Sequence, residues 1–228
     1  YQKVQNFCSV DLGAFYLDVI KDRQYTTQRD SLARRSAQTA LYHIVEALTR
    51  WLAPILSFTA EEIWAAIPGR HGESVFLATW YTFPTLGDDR GMGLDYWAQV
   101  MEVRELVYKE LERVRVAGGI GAGLEAEVDL YCGRELHDAL AKLGDELRFV
   151  LITSYARVHL LAEPPADAVH FTLIGKDEMW VRVTPSAHQK CVRCWHLRED
   201  VGIHAEYPEL CGRCVENVAG SVEGRRFA

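Results

Sequence analysis

Four cysteines in the last forty or so residues constrain the fold of this chain more than any other feature. They form two C-x₂-C pairs, Cys191 with Cys194 and Cys211 with Cys214, separated by sixteen residues. This spacing is typical of a zinc site in which each pair supplies two sulfurs to one tetrahedral ion. The segment carries few large apolar side chains, so metal binding, worth roughly 10–16 kcal/mol in isolated zinc modules, is expected to order it. The alternative is a disulfide pair or four loose thiols.

Composition limits the cellular setting and the kind of partner. The chain has 228 residues, of which 49% are hydrophobic and 25% charged, and its net charge of −7 excludes a surface that traps nucleic acid non-specifically. No apolar run approaches the eighteen or so residues that span a membrane, and the first residues show no secretory signal. Cys8 and Cys132 lie alone within apolar patterns and are expected to be buried thiols. A reducing cytoplasm therefore fits best.

The first 85 residues show the periodicity of amphipathic helices. One helix is predicted from 1 to about 25. A second begins with Asp30 or Ser31 as its N-cap, and a proline at position 54 should kink or end it. The polar face of this second helix is predicted to carry Arg35, Gln38, His43, Glu46 and Arg50.

A third helix is predicted from 60 to 67, with Thr59 and Glu62 forming a capping box at its start. Residues 74–80 form a short apolar run, either a strand or an extended crossover. The three helices are expected to pack as an antiparallel bundle spanning residues 1–85.

A loop at 84–93, rich in Gly and Asp, marks a boundary. Beyond it we predict a long helix from about 96 to 116 and a half-buried strand at 125–132, where apolar and polar residues alternate. Shorter helical segments and further strands complete a small α+β unit at 95–184, with a sheet of three or four strands. The glycine-rich stretch 118–123 lies between a helix and a strand, the wrong order for a nucleotide-binding turn, and is interpreted as a connector. The predicted fold class is therefore mainly α with α+β: an N-terminal helical bundle, a mixed α/β junction unit, and a zinc-ribbon or knuckle module at 185–228.

Three stretches resemble a known family. Residues 52–64, Leu-Ala-Pro-Ile-Leu-Ser-Phe-Thr-Ala-Glu-Glu-Ile-Trp, are similar to the anticodon-binding helical domain of class I aminoacyl-tRNA synthetases for isoleucine, valine and leucine. Residues 120–126 resemble the region that follows this domain in the isoleucyl enzymes. Residues 190–195 and 207–217, which contain the cysteine pairs, resemble the C-terminal zinc module of bacterial isoleucyl-tRNA synthetases. Valyl enzymes typically end in a coiled coil, so this module favours isoleucine.

The resemblance implies a C-terminal fragment made of the anticodon-binding domain, a junction and the zinc module. The chain has neither a HIGH-type nor a KMSKS-type ATP motif, so it is expected to form no aminoacyl-adenylate. The implied partners are isoleucine tRNA and the catalytic and editing domains of the same enzyme, which is expected to be a monomer. One structural Zn²⁺ is expected here, whereas ATP and Mg²⁺ would act only in the full-length enzyme.

Anticodon bases can be splayed out and stacked on planar side chains beside cations. Arg193 and Trp195 next to the first cysteine pair, with Arg213 in the second, are therefore predicted to face RNA, whereas Arg34 and Arg35 would contact phosphates. The alternatives are that Trp195 covers the zinc site as a small core and that the arginines form a solvated helix face. Three broader readings also stay open: another class I synthetase, a free-standing paralogue acting in trans, or a zinc-stabilised protein-interaction module.

Overall fold

The computed structural model describes residues 1–69, 72–85, 87, 91–220 and 223–227. The chain begins with one continuous helical rod made of α1 (Gln2–Asn6), a π-helical segment (Phe7–Tyr16) and α2 (Leu17–Thr26). The helix predicted over 1–25 is therefore present. The prediction that Cys8 is buried was wrong, because Cys8 is exposed. In the π-helical segment the backbone hydrogen bonds span five residues. Its side chains therefore do not follow the 3.6-residue spacing from which Cys8 was predicted to be buried.

Helix α3 (Leu32–Leu52) begins at Ser31, whose Oγ accepts a hydrogen bond from the Arg34 backbone N–H at 3.2 Å, as the N-cap prediction required. The helix ends two residues before the proline at 54. Glu46 was predicted on the polar face, but its side chain is buried and pairs with Arg50 at 2.7 Å. A carboxylate can lie on the buried face of a helix when a cationic side chain four residues later pairs with it. The hydrophobic pattern of the sequence does not reveal such a pair.

Helix α4 (Ser57–Ala66) starts before the predicted position. Thr59 already lies inside its first turn, because the Ala60 N–H donates to the Leu56 carbonyl at 2.8 Å, so the predicted capping box does not form. A 3₁₀ helix (Val75–Leu77) occupies the stretch predicted as a strand or crossover. A small apolar core is formed by Ala53, by Ala60 and Trp64 of α4, and by Val75 of the 3₁₀ helix.

The α+β unit has helices on one face of a four-stranded sheet. Its elements are α5 (Leu94–Val116), a 3₁₀ turn (Gly123–Glu125), β1 (Ala126–Cys132), α6 (Arg134–Ala141), a 3₁₀ turn (Gly144–Glu146), α7 (Leu147–Leu151), β2 (Tyr155–Leu160), β3 (Val169–Thr172) and β4 (Glu178–Pro185). The strand order is β2-β1-β4-β3, with β1 and β2 parallel and the other pairs antiparallel. Alternate residues of β1 are fully buried in one apolar cluster with side chains of α5, α6 and α7, and Cys132 is buried as predicted.

The main apolar core of the molecule joins this sheet unit to the N-terminal rod. Val19 is buried in the same cluster as Val103, Leu130 and Leu147, and Phe15 packs against it. In the glycine-rich connector, the Gly121 N–H donates to the Glu125 carboxylate at 2.8 Å. The stretch joins α5 to the 3₁₀ turn before β1, which agrees with the connector interpretation.

The last segment contains β5 (Gln189–Lys190), β6 (Leu197–Arg198) and α8 (Gly212–Ala219). The predicted fold class, mainly α with an α+β unit and a cysteine-rich module, is confirmed. The division at 1–85, 95–184 and 185–228 stays a prediction, and the loop at its first boundary falls partly outside the described residues. Among the described residues, no helix has both the length and the apolar character that a membrane crossing requires.

A candidate metal centre and nucleic-acid interface

The structure brings the four predicted ligands together. Cys191 follows β5, Cys194 lies in the next turn, and Cys211 and Cys214 lie at the N-cap and in the first turn of α8. All four are buried free thiols, and their Sγ atoms lie within 4.8 Å of one another. They form the centre of a small cluster to which Val201 adds one buried side chain.

Backbone hydrogen bonds shape the two turns. The Cys191 N–H donates to the His196 carbonyl at 2.9 Å, and the Trp195 N–H donates to the Cys191 carbonyl at 2.9 Å. Trp195 has a φ of +66°, which closes the turn in the left-handed region. The Cys211 N–H lies 3.4 Å from the Cys191 sulfur, and the Gly212 N–H donates to the Asp200 carboxylate at 2.9 Å. These bonds fix the directions of the sulfurs.

The donor set fits one structural zinc ion. Zn–S bonds of about 2.3 Å in a tetrahedron place the sulfurs about 3.8 Å apart, and the Cys194 and Cys211 sulfurs are 3.7 Å apart. Hydrogen bonds from the neighbouring thiols, of which Cys191 has the largest effect, lower the pKa of Cys194. Hydrogen bonds with the same group of thiols, again with Cys191 as the largest cause, raise the pKa of Cys214. Four sulfurs this close ionise together only around a cation. When bound, zinc would therefore supply the cross-link that holds this module.

An ion-pair cluster joins the metal module to the N-terminal rod. Arg213 lies one residue before a cysteine ligand, and its guanidinium donates two hydrogen bonds to Asp22 of α2, at 2.7 and 2.8 Å. Arg225 also pairs with Asp22, and Glu223 lies 3.4 Å from Arg213. Burial alone would raise the pKa of Asp22, but Arg213 and Arg225 lower it below its ordinary value.

This cluster changes the interpretation of Arg213. Its side chain is only 12% exposed, and its guanidinium lies over the Phe149 ring between two carboxylates. It was predicted to face RNA, but the structure places it as a buried link between the metal module and α2. Sequence reasoning missed the role because the partner Asp22 is 191 residues away.

The other two residues predicted near the metal lie at the surface. Trp195 is 60% exposed, so it does not form a closed cover over the sulfurs. Arg193 is half-buried, and its guanidinium donates to the Thr26 carbonyl at the end of α2. A pocket of about 520 Å³ opens between α2 and the metal turn, with Trp195 and the 78% exposed Tyr25 among its lining residues. Tyr25 also offers an exposed aromatic ring, but the sequence around it gave no signal beyond an aromatic residue at a helix end.

Arg34 and Arg35 lie in the first turn of α3. Arg35 is exposed, whereas Arg34 is half-buried and its Nε atom is enclosed. The loop before α3 touches the metal module, because the Gln28 N–H donates to the Asn217 side chain of α8 at 3.2 Å. The two arginines therefore follow a segment that is fastened to the metal module.

Sequence reasoning also missed an aromatic surface on the helical part. The rings of Trp51 and Trp80 stack with centroids 5.9 Å apart, and Phe83 packs edge-on against Trp51 at 5.8 Å. Trp80 is 69% exposed. The sequence signal is the density of aromatic residues at 80–83, which helix periodicity does not detect.

Comparisons with known proteins agree with this combination of helices and cysteine turns. Residues 1–130 match the family described as the anticodon-binding domain of tRNA ligase, and residues 189–217 match the zinc finger found in FPG and IleRS. The first match covers more than half of the chain. The chain therefore belongs to the family of tRNA ligase anticodon-binding domains.

Similar proteins of known name indicate which kind of tRNA ligase the chain resembles. The chain is 60% identical to an isoleucine–tRNA ligase of Nitrosococcus oceani over 229 aligned positions, and 61% identical to one of Thioalkalivibrio sulfidiphilus. An isoleucine–tRNA ligase of Pseudomonas aeruginosa is 57% identical. Each alignment covers 100% of this chain and 24% of the relative. The chain thus spans about a quarter of the length of these ligases, and the resemblance to the isoleucyl family is confirmed.

Proposed function

We propose that this chain is the part of an isoleucine–tRNA ligase that holds isoleucine tRNA by its anticodon region. The observation that carries the proposal is the pocket of about 520 Å³ between α2 and the metal turn, with the exposed rings of Trp195 and Tyr25 beside it. Such a pocket matches an unpaired base, which stacks on aromatic rings and offers its edges to polar groups. The zinc ion would act structurally, by keeping the turn that carries Trp195 rigid.

The neighbouring arginines suit the phosphates of the same RNA segment. Arg35 is exposed at the start of α3, and Arg34 lies beside it. Phosphate contacts position an RNA without reading its sequence. In this proposal the bases enter beside Trp195, while Arg34, Arg35 and Arg193 hold the backbone.

The remaining properties follow from the same proposal. Aminoacylation with ATP and Mg²⁺ would take place in the catalytic domain of the longer ligase, with an editing domain beside it, and these 228 residues alone would form no aminoacyl-adenylate. We place the ligase in the cytoplasm and expect it to act as a monomer, with isoleucine tRNA as its specific partner.

Filter binding tests the proposal directly. The zinc-loaded chain should bind isoleucine tRNA more tightly than tRNAs for other amino acids, and an anticodon substitution in isoleucine tRNA should remove the difference. Trp195→Ala should weaken binding by about tenfold, since one stacked base contributes roughly 1–3 kcal/mol. Zinc content should stay at one ion per chain. Phe76→Leu is the matched control, because Phe76 is 55% exposed elsewhere on the surface.

The salt dependence separates phosphate contacts from a merely solvated helix face. Each of Arg34→Ala and Arg35→Ala should reduce the slope of log affinity against log salt by about 0.7–0.9. Equal affinity for all tRNAs would contradict the proposal. Release of zinc by Trp195→Ala would also contradict it, because the indole would then stabilise the metal turn rather than bind RNA.

A further inference from the structure

A cleft of about 870 Å³ lies between α5, α6 and the turn that joins β3 to β4. Its lining includes Lys142, which directly follows α6. Five carboxylates share the lining, and they belong to Asp95 and Glu102 of α5, Glu135 and Asp138 of α6, and Asp177 of the turn. Five carboxylates against one ammonium group give the cleft a formal net charge of −4. The cleft therefore repels RNA and attracts cations.

The chain does not neutralise these carboxylates itself. In the part that the structure describes, none of the five forms an ion pair with a lysine or an arginine. Asp138 contacts His137 at 2.9 Å, and Glu102 accepts the Ile174 N–H at 2.5 Å. Lys142 instead donates to the Gly91 carbonyl at 3.1 Å. The negative charge of the cleft is therefore left for a ligand to balance.

A buried hydroxyl group on the same lining also lacks a partner. Tyr96 lines the cleft, is only 9% exposed, and its ring centroid lies 5.3 Å from the Lys142 Nζ. Its Oη is enclosed and has no hydrogen-bond partner among the described residues. Burial raises the pKa of Tyr96 to about 12, so the hydroxyl is neutral at physiological pH. An enclosed hydroxyl without a partner costs stability, and an N–H donor bound in the cleft would provide the missing partner.

The spacing of the carboxylates argues against a single metal ion. Within the described ranges, the four cysteines are the one group of three or more His, Cys, Asp or Glu side chains whose donor atoms lie close enough to share an ion. Asp95 and Glu102 are seven residues apart on α5, which separates them by about 10.5 Å along the helix. Carboxylates in such a row suit an extended ligand that carries several cationic groups.

Apolar side chains share the lining with the carboxylates. They are Ala98 of α5, Ala139 of α6, Leu173, and the 91% exposed Ile174. Methylene groups can pack against such side chains while the charged ends stay at the carboxylates. We propose that the cleft between α5 and α6 binds a linear aliphatic polyamine, with its ammonium groups at the carboxylates of both helices and one N–H on the Tyr96 hydroxyl.

The size of the cleft favours a polyamine over a lysine-rich protein segment. Its volume falls within the range of about 300–1,000 Å³ that is typical of small-molecule sites, whereas a stable protein partner would need about 800 Å² of surface on each side. The cleft is also separate from the pocket beside Trp195, with which it shares no lining residue. The inference therefore goes beyond the proposed function and does not depend on it.

Isothermal titration calorimetry of the whole zinc-loaded chain with spermidine tests the proposal. One spermidine should bind per chain, at least tenfold more tightly than Mg²⁺. Glu135→Gln should weaken spermidine binding by about fivefold, because it removes one ion pair with the ligand. Glu105→Gln is the matched control, since Glu105 is exposed on α5 outside the cleft and its loss changes the net charge by the same amount. Lys142→Met should strengthen binding by a similar factor, because it removes the competing ammonium group and keeps an aliphatic side chain.

Tyr96→Phe tests the role of the buried hydroxyl. It should weaken spermidine binding about threefold to fivefold, because the ligand loses an acceptor. Without spermidine, the midpoint of thermal unfolding should stay the same or rise, since the parent loses no hydrogen bond at this position. A lower midpoint without spermidine would show that the hydroxyl already has a partner within the protein, and would overturn its assignment as a ligand acceptor.

Amide chemical shifts locate the bound spermidine without any variant, and the changes should fall within 91–102, 135–142 and 173–177. Equal weakening by Glu135→Gln and Glu105→Gln, or no spermidine binding by the parent, would refute the site. Binding of a trilysine peptide at the same residues at least tenfold more tightly than spermidine would replace the polyamine by a protein segment. Trp195→Ala should bind spermidine like the parent, so the site in this cleft and the proposed tRNA pocket can fail separately.

Discussion

The sheet unit and the zinc module are ordered by different forces. In the sheet unit, fully buried aliphatic side chains such as Leu130, Leu136 and Leu140 form the core, and each contributes roughly 1.5–3 kcal/mol through burial. In the zinc module, four cysteines and Val201 make up the buried cluster. The first region is ordered by many small apolar contributions, and the second depends on a single ion.

A third kind of contact joins the C-terminal segment to the N-terminal rod. Arg213, Arg225 and Glu223 of the C-terminal segment surround Asp22 of the N-terminal rod, and all four side chains are less than 15% exposed. A buried ion pair gives little net stability over an apolar contact, but removing one partner leaves a charge without compensation. We therefore expect metal loss, core mutation and charge mutation to damage separate parts of the molecule.

Metal removal should have the largest effect. Chelation, or Cys211→Ser, should release the zinc and remove the protection of residues 189–217 against hydrogen exchange, because the cluster then lacks the roughly 10–16 kcal/mol of metal binding. Protection of β1 and β4 should persist, since their core contains no metal ligand. Hydrogen exchange with mass spectrometry measures both regions at once.

Cys8→Ser is the matched control, because Cys8 is an exposed cysteine outside the cluster. It should leave zinc content and exchange unchanged. Simultaneous loss of protection in both regions would show that the sheet unit also depends on the metal. The two regions would then not be ordered by different forces.

Removal of the charge at Asp22 should have the next largest effect. Asp22→Asn leaves the Arg213 and Arg225 guanidinium groups buried without their shared carboxylate, which should lower the free energy of unfolding by about 3–5 kcal/mol. Asp18→Asn is the control on the same helix, where an exposed carboxylate pairs with Lys21 at 2.7 Å, and it should cost less than about 1 kcal/mol. Urea unfolding measures both.

The pH dependence of the stability lost in Asp22→Asn tests the charge on Asp22 more specifically. The pKa of Asp22 in the folded state lies below its ordinary value of 3.8 because of the two arginines. A depressed carboxyl pKa contributes stability above the unfolded-state value and loses it as the pH falls through the folded-state value. The gap between the parent and Asp22→Asn should therefore be constant from about pH 8 to pH 5 and close below about pH 4. A gap that narrows already near pH 6 would show that another group titrates at the contact.

Local signals account for what the sequence could predict. The cysteine spacing, the alternation along β1 and the cap at Ser31 depend on neighbours within a few residues or on one repeated spacing, and the structure contains all three features. The order of elements from α5 to β4 follows from the same kind of signal.

Contacts between distant segments account for what it could not predict. The partner of Arg213 is 191 residues away, and nothing in the local sequence separates a buried arginine from one that faces RNA. Tyr131, His159, Trp180 and His170 are aligned across the sheet by the strand order β2-β1-β4-β3. Helix and strand periodicity does not specify which strands are neighbours. The capping box at Thr59 failed because α4 begins earlier, at Ser57.

The smallest expected effect concerns the two predicted helix caps, and it tests whether local changes in the helical part reach the zinc module. Ser31→Ala should lower the free energy of unfolding by about 1 kcal/mol, because the Arg34 N–H then loses the acceptor that the Ser31 hydroxyl provides. Thr59→Ala should have almost no effect, because Thr59 is exposed within the first turn of α4 and caps nothing. Zinc content should stay at one ion per chain in both variants, since neither residue touches the cysteine cluster. If Ser31→Ala also weakened zinc retention, the loop at 27–31, which Gln28 fastens to Asn217 of α8, would have to transmit strain to the metal site, and the two regions would then be ordered together rather than by independent forces.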